Sequence, residues 1–269
     1  VQSWLSFLRR DSVHGSVISN GTITGRMSHR DPNLAQVPSV TSPYGKECRA
    51  VWSVPRGYKL VGIDASGLEL RMLAHYLNDK EFINDILNGD IHTANQVRAG
   101  LESRTQAKTF IYAFLYGAGD AKLGSVVGGD KRQGKRIKQS FLNNFPSLKS
   151  LRHRVTREAE QNEYIKALDG RKVFIRSSHA ALNSLLQGAG AIVMKRGLII
   201  LNDMLQDSDV DAHVVANVHD EWQVETWHED VDRLGEMAVN AIRQAGNYYK
   251  LNCPLDAEYK VGENWSETH

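Results

Sequence analysis

A block of helical patterns separates the strand patterns of this chain, and this order most constrains the fold. Residues 13–58 are rich in Gly, Ser, Thr, Asn and Pro, which predicts strands and extended loops, and the apolar run 59–64 predicts a short strand that ends on Asp64. Helical spacing then appears at about 68–78, 80–88, 91–100 and 104–116, followed by basic amphipathic segments over 130–162. Because strands and helices do not alternate regularly, we expect an α+β fold with the helical block inserted between two halves of an antiparallel sheet.

The remainder of the chain supplies the second half of that sheet. Alternating runs around Asp169 and Gly170 predict a hairpin with a two-residue turn. A long helical pattern covers about 178–205 and places Asn183 and Gln187 one turn apart. Residues 216–226 read as two strands that meet at His219, Asp220 and Glu221, and a helix at about 229–247 and a short strand follow.

Composition excludes several classes of protein. The chain has 269 residues, 41% hydrophobic and 24% charged, which is ordinary for a globular domain. Two cysteines, Cys48 and Cys253, are too few for a disulfide framework and favour a reducing compartment. No apolar run approaches the ~18 residues of a membrane span, so we expect no membrane partner. No signal segment opens the chain, and its start at Val1 suggests a fragment or a processed piece.

Charge gives a mixed indication about nucleic acid. The net charge of +2 offers little support for such a partner. The segment 131–138, however, carries five cations in eight positions. It predicts either a solvated helix face or a patch that faces phosphates.

One helical segment is typical of a nucleotide site. Arg104, Lys108, Tyr112 and Tyr116 recur every four residues and share a slowly rotating helix face, and the segment 104–119 contains no acid. Two cations followed by two phenols suit a ligand with a charged end and a flat end, such as a nucleoside triphosphate; the alternative is a solvated polar face. Because the glycine-rich phosphate loops are absent, helix side chains and a metal would have to bind the phosphates.

Two carboxylates complete the pattern. Asp64 ends one predicted strand and Asp220 lies at a strand turn far along the chain. Brought together at a sheet edge, they would suit Mg²⁺, which prefers oxygen ligands and takes part of its shell from substrate phosphates. The alternative for Asp220 is a hairpin turn with solvated charges.

In this order, "DASGLELR", "RTQAKTFIYAFLYGAG" and "VHDE" resemble motifs A, B and C of the family A DNA polymerases, and "TGRMSHRDPNLAQVP" resembles the family's segment before motif A. The resemblance runs from about Gly15 to Trp265 and is closest in wording to replicative polymerases of phages. It implies a right-hand polymerase with a palm over 1–76 and 181–269 and α-helical fingers over 77–180. A chain of this length leaves no room for thumb and exonuclease domains, so a truncated or split polymerase is implied, and a separate chain or a processivity factor that supplies those parts stays open.

The resemblance also implies roles for single residues. Asp64, Asp220 and the backbone carbonyl of Ala65 would hold two Mg²⁺ ions, with Mn²⁺ as a substitute. His92, Arg104 and Lys108 would hold the β- and γ-phosphates, and Lys108 would protonate the departing pyrophosphate. Closure of the fingers would bring these cations to the palm carboxylates.

Further implied roles concern the sugar, the base and the DNA. Glu69 would exclude a ribose 2′-hydroxyl. Tyr112 would lie under the incoming nucleotide, where a tyrosine implies acceptance of dideoxynucleotides, and Tyr116 would stack at the template position. Residues that would read the minor groove near the primer end are Arg26, Gln36, Asn183, Gln187 and His219. Glu221 would be an accessory acid at best and is otherwise an ordinary turn acid.

The implied function is a DNA-directed DNA polymerase for DNA replication, which adds dNTPs to a primer 3′-OH on a DNA template and releases pyrophosphate. A phage-encoded enzyme would act in the cytoplasm of the bacterial host. Two alternatives stay open: a single-subunit RNA polymerase of the same superfamily, against which Glu69 argues, and a DNA-binding module without useful activity. A reverse transcriptase would be expected to carry Tyr-x-Asp-Asp in place of His-Asp-Glu.

Overall fold

The computed structural model describes residues 2–269, which divide into two compact units. The first unit contains the residues up to Leu68 together with Gly190–His269, and the second contains Glu69–Ala189. The helical block therefore forms a unit of its own, inserted in the chain between two parts of the other unit. The predicted limits of palm and fingers stay predictions.

The first unit is built on an antiparallel sheet. Before the insertion it contains α1 (Gln2–Leu5), β1 (Leu8–Arg9), β2 (Ser12–Val13), β3 (Ser16–Ile18), β4 (Ser28–Arg30), a 3-10 turn (Leu34–Gln36), α2 (Gly45–Ala50) and β5 (Tyr58–Ala65). The order in the four-stranded sheet is β10-β5-β9-β8, where β8 is Ala212–Val218, β9 is Glu221–Trp227 and β10 is Ala257–Gly262. All neighbouring strands are antiparallel. This confirms the predicted antiparallel sheet, because β5 precedes the insertion and its partners follow it.

One face of this sheet packs on helices. Val61 and Ile63 of β5 lie opposite Val224 and Trp222 of β9, and all four side chains are fully buried. Helix α11 (Val231–Tyr248) packs against β5, β9 and β10 with its apolar stripe. Removing this much apolar surface from water supplies the main stabilisation of the unit.

The other face is covered by the last residues of the chain. A Cβ at Gly62 would lie 2.3 Å from the carbonyl oxygen of Thr268, so that only glycine allows this approach. Trp265 is buried with Val37 and Leu60, and Thr268 donates to Gln223 Oε1 at 2.8 Å. Trp265 and Thr268 are therefore part of the core of this unit, on the face that carries Asp64.

The second unit is mostly helical. Its elements are α4 (Lys80–Leu87), α5 (Ile91–Ala99), α6 (Arg104–Leu115), α7 (Asp120–Val126), α8 (Lys131–Asn143), α9 (Pro146–Asn162), β6 (Tyr164–Lys166), β7 (Lys172–Phe174) and a 3-10 turn (Ser178–Ala180). Side chains of Asp79, Asp90, Ser103 and Asp130 accept hydrogen bonds from the first backbone N–H groups of α4, α5, α6 and α8. Phe82, Phe110, Phe141 and Phe145 pack ring against ring in the core. The predicted helices are confirmed, and local caps explain where they begin.

The turn between β6 and β7 differs from the expected two-residue turn. The N–H of Ala167 donates to the carbonyl of Arg171 at 2.9 Å, and the N–H of Gly170 donates to the carbonyl of Ala167 at 2.9 Å. Five residues, 167–171, therefore lie between the strands as bounded above, with Gly170 at a φ of +84°. The two-residue prediction was wrong because an Asp-Gly pair also suits a β-turn followed by a glycine in the left-handed region.

Two helices contain the division between the units: α3 (Leu68–Leu77) and α10 (Ala181–Gln206). Residues 178–206 are long and apolar enough to cross a membrane by length and composition, which corrects the expectation that no segment would be. In its most apolar stretch, 67% of this segment is buried within the protein, as in a helix that belongs to a protein core.

Candidate active site

The sheet of the first unit places the two predicted metal ligands at the same end. Asp64 is the penultimate residue of β5 and lies opposite Glu221, the first residue of β9. The N–H of Ala65 donates to the carbonyl oxygen of Asp220 at 3.0 Å. Asp64 is exposed and Asp220 is partly exposed, so that solvent and ligands reach both residues. Strand register thus places two aspartates that lie far apart in the sequence at the same end of one sheet.

The turn that carries Asp220 is locally strained. His219 has a φ of +61°, a backbone conformation that residues other than glycine adopt uncommonly. The preceding strand β8 contains an irregularity between Val214 and Ala216, where its pairing with β9 shifts by one residue. Such features recur beside functional sites, where they direct a side chain that regular geometry would place elsewhere.

Glu221 is not an ordinary turn acid, which corrects the sequence prediction. Its side chain is 5% exposed and accepts hydrogen bonds from Trp265 Nε1 at 2.5 Å and Gln223 Nε2 at 2.6 Å. His269 Nδ1 lies 2.9 Å from Oε2. Arg49, itself buried, lies 3.7 Å from Oε1 and stacks over the Trp265 ring at 4.4 Å. The carboxylate is therefore held inward by a buried network of donors.

This network keeps Glu221 charged. Burial works to raise the pKa of the Glu221 carboxyl, but the bonds from His269, Trp265 and Gln223 outweigh it and hold the pKa below its ordinary value. The sequence gives no periodic signal for this set, because Arg49 lies in α2 and Trp265 and His269 lie in the last segment. A buried arginine and a buried tryptophan are recognised only when the fold is known.

The donor chemistry at this end of the sheet fits a magnesium-type ion. Asp64 lies between two carboxylate-bearing strand partners, Glu221 on β9 and Glu258 on β10, with Asp220 beside them. Glu221 is turned inward, which leaves Asp64 and Asp220 as the accessible acids of the two motifs, and carboxylate oxygens are the ligands that Mg²⁺ prefers. Within residues 2–269, no group of three or more His, Cys, Asp and Glu side chains is arranged to hold a metal by itself. The candidate protein ligands are therefore the pair Asp64 and Asp220.

The second unit groups the predicted phosphate-binding residues. Burial, and then the nearby charges of Arg104 and Lys108, lower the pKa of His92, which shows that the three side chains are close enough to interact. Asp90, which the sequence analysis missed, caps α5 and accepts from Arg104 Nε at 2.5 Å. This hydrogen bond holds the pKa of Asp90 well below its ordinary value. An Asp directly before a helical pattern is a signal for such a cap.

The predicted aromatic residues of α6 lie along the same face. The rings of Tyr112 and Tyr116 are stacked with centroids 6.4 Å apart, and the Tyr112 ring lies 6.1 Å from that of His92. Tyr116 is 47% exposed, and its hydroxyl donates to Glu69 Oε1 at 2.8 Å. Glu69 is 5% exposed, so this bond satisfies part of a buried carboxylate. The face runs from the cations to the phenols, as the four-residue spacing predicted.

The remaining predicted DNA-binding residues fall into two sets. In the first unit, Gln36 is exposed in its 3-10 turn. Met27, next to Arg26, accepts a hydrogen bond at its Sδ from Asn217 Nδ2 of β8 at 3.2 Å, and Asn217 lies two residues before His219. In the second unit, Asn183 and Gln187 are partly exposed on α10, and Asn183 Nδ2 donates to the Leu115 carbonyl at 2.9 Å. Their contacts with DNA stay predictions.

Comparison with known proteins agrees with this fold and site. The sequence pattern described as DNA polymerase family A matches residues 2–267. The chain is 44% identical to a DNA-directed DNA polymerase of Enterobacteria phage T3 and 44% identical to one of Escherichia phage T7, in each case over all of this chain and 43% of the relative. The chain therefore belongs to DNA polymerase family A, and it spans less than half the length of these phage relatives.

A solved structure has the same fold. The POL domain of Pol1 from M. smegmatis, in complex with DNA primer-template and dNTP, superposes with a TM-score of 0.89 at 23% identity. The match covers 99% of this chain and 50% of that chain. The α+β fold expected for a right-hand polymerase is thus confirmed.

Because of the Glu221 network, we expect the loss of Glu221 to lower the free energy of unfolding far more than the loss of Glu225 on the same strand. Glu221→Ala would leave Arg49 buried without its carboxylate partner, so we expect the free energy of unfolding to fall by about 3–5 kcal/mol. Glu225→Ala, four residues along β9 and only partly buried, should cost less than about 1 kcal/mol. Urea denaturation of both variants measures this. Equal stabilities of the two variants would show that the network contributes little.

Proposed function

We propose that this chain contains the catalytic part of a template-directed DNA polymerase, which adds dNTPs to a primer 3′-OH by nucleotidyl transfer with divalent metal ions. Its substrates would be primer-template DNA and dNTPs. Support comes from membership of DNA polymerase family A and from the solved structure of similar fold, which contains primer-template and dNTP.

One observation carries the proposal: the carboxylates of motifs A and C lie at the same end of one sheet. The bond from the Ala65 N–H to the Asp220 carbonyl and the pairing of Asp64 with Glu221 join the two motifs directly. If the turn at Asp220 were only a solvated hairpin turn, nothing would require an exposed aspartate, Asp64, near the end of the neighbouring strand. The alternative of a solvated turn at Asp220 is therefore less well supported.

Asp64 and Asp220 would hold two Mg²⁺ ions, together with the carbonyl of Ala65, while water and substrate phosphates complete the metal shells. When bound, such ions favour the deprotonated primer hydroxyl and offset the charge of the triphosphate. The bond formed joins the primer 3′ oxygen to the α-phosphorus. The bond broken joins that phosphorus to the oxygen of the departing pyrophosphate.

Side chains of the second unit would act on the nucleotide. Arg104 and Lys108 would bind the β- and γ-phosphates, and Lys108 would give a proton to the pyrophosphate. The lowered pKa of His92 indicates a neutral imidazole at neutral pH, which would contribute a hydrogen bond rather than a charge. Asp90 holds Arg104 by a charge-assisted bond and so orients its guanidinium before a phosphate arrives.

Primer extension tests the proposal most simply. In Mg²⁺, we expect wild type to extend a labelled primer, and Asp64→Asn and Asp220→Asn each to lower the single-turnover rate about a hundredfold or more, which corresponds to ~2.7 kcal/mol of transition-state stabilisation. Glu258→Gln is a matched control, because it removes an exposed carboxylate directly opposite Asp64. It should keep most of the activity.

Two outcomes would contradict this assignment. Full activity in Asp64→Asn or Asp220→Asn would refute the metal ligands. Absence of extension by correctly folded wild type would favour the alternative of a DNA-binding module.

The bond between Tyr116 and Glu69 predicts how the sugar is selected. We propose that Glu69 excludes the 2′-hydroxyl and that Tyr116 fixes its position. Glu69→Ala should raise rNTP incorporation relative to dNTP by about tenfold or more, ~1.4 kcal/mol of discrimination. Tyr116→Phe keeps the ring and removes only the donor, so it should relax discrimination by a smaller factor. Competitive incorporation of ATP and dATP opposite one template T measures both; unchanged discrimination in Glu69→Ala would refute this role.

A further inference from the structure

The hairpin formed by β6 and β7 has an outer face that neither the fold nor the proposed chemistry uses. We define the hairpin face as Tyr164, Lys166, Lys172 and Phe174. Between these residues on each strand, Ile165 and Val173 are 1% and 5% exposed and point the opposite way, into the core of the second unit. The hairpin face is therefore the solvent side of an otherwise well-packed hairpin.

Two aromatic rings lie side by side on this face. Tyr164 and Phe174 are direct cross-strand partners, with ring centroids 6.1 Å apart and planes at 65°. This edge contact leaves Phe174 66% exposed, a large apolar surface for a residue on a regular strand. An exposed ring held in one orientation by a strand is suited to stacking against another flat group.

The two lysines of this face repel each other, which destabilises the hairpin. Lys166 and Lys172 are direct cross-strand partners, and like charges opposite each other are unfavourable. Lys172 Nζ lies 4.5 Å from the Tyr164 ring centre, which keeps this cation beside the aromatic pair. Of the nearby carboxylates, Asp169 in the connecting loop is paired with Arg171 at 2.5 Å, and Glu158 accepts a hydrogen bond from the Lys166 backbone N–H at 3.1 Å. A polyanion would relieve the repulsion between Lys166 and Lys172.

We propose that the hairpin face binds single-stranded DNA, with a base stacked on Phe174 and backbone phosphates beside Lys166 and Lys172. Stacking rings interleaved with cations are the features that proteins use to hold single strands without reading sequence. An acidic peptide would use the lysines but gains nothing specific from the exposed ring, and duplex DNA keeps its bases stacked and out of reach. If the proposed polymerase function holds, the bound strand is the unpaired template.

Binding of a labelled, mixed-sequence 16-nucleotide DNA by the whole 269-residue chain, measured by fluorescence anisotropy, tests the proposal. Phe174→Ala should weaken binding roughly fivefold to 150-fold, as expected for the loss of one stacked base. Phe174→Trp should bind at least as tightly as wild type, whereas Phe174→Leu should be weak despite its apolar side chain. K166A/K172A should weaken binding and reduce its dependence on salt concentration.

A charge-matched control lies in the same unit. K80A/K122A removes two exposed lysines that lie outside segment 131–138, and it should change the affinity far less than K166A/K172A. Urea denaturation confirms that each variant is folded. Extension on a template with a single unpaired nucleotide separates this proposal from the polymerase proposal: Phe174→Ala should extend it as wild type does, and strand binding is measurable even if wild type extends nothing.

Three results would overturn the proposal. Unchanged affinity in Phe174→Ala would exclude stacking. Equal weakening by K80A/K122A and K166A/K172A would show that the effect depends only on net charge. Poly-glutamate that binds as tightly as the 16-nucleotide strand, and equally to wild type and Phe174→Ala, would identify the hairpin face as a site for acidic peptides.

Discussion

The buried ionic network around Glu221 is the interaction on which the proposed site depends. Cross-strand pairing places the carboxylates of Asp64 and Glu221 directly opposite each other, an arrangement that like-charge repulsion opposes. The two side chains avoid this repulsion because one is buried and the other is exposed. Glu221 is turned inward beside the buried guanidinium of Arg49, with His269, Trp265 and Gln223 as further partners, while Asp64 stays exposed to solvent.

This division of roles has a consequence for chemistry. If Glu221 were also exposed, a cation would meet one more carboxylate at this end of the sheet, in addition to Asp64, Asp220 and Glu258. The turn that carries Asp220 would also lose the buried contacts of the residue that follows it. Because Glu221 directly follows Asp220, its network fixes the position at which β9 begins and therefore where Asp220 lies. The positive φ of His219 is maintained in the same way, since a strained turn persists only when its surroundings hold it.

Much of this was predictable from the sequence. Helices α4, α5 and α6 begin and end within one or two residues of the predicted limits, since caps and apolar spacing are local signals. The shared position of motif A and motif C was an expectation of the family resemblance, because two acids at predicted strand ends alone left a solvated turn open for Asp220. The four-residue spacing of Arg104, Lys108, Tyr112 and Tyr116 predicted one face, and the ring stacking of the tyrosines agrees with it.

Other features depend on contacts that no local pattern shows. The burial of Glu221 depends on α2 and on the last segment, which are far from it in sequence, so an Asp-Glu pair at a turn gave no sign of it. The irregularity of β8 at Val214 and Ala216 moves side chains by one register position without a glycine or proline to mark it. Asp90 directly precedes a predicted helix, but its bond to Arg104 depends on the packing of α5 on α6, which no local pattern shows.

The central claim is that Asp64 and Asp220 form one binding site for divalent metal. Titration of Mn²⁺ without nucleotide, followed by the electron paramagnetic resonance signal of the free ion, tests it directly. We expect wild type to bind Mn²⁺ and each of Asp64→Asn and Asp220→Asn to bind it at least about tenfold more weakly. The double variant should be little worse than either single variant, because both carboxylates would contact the ion that binds without nucleotide. Independent, additive losses in the single variants, or wild-type affinity in the double variant, would contradict it.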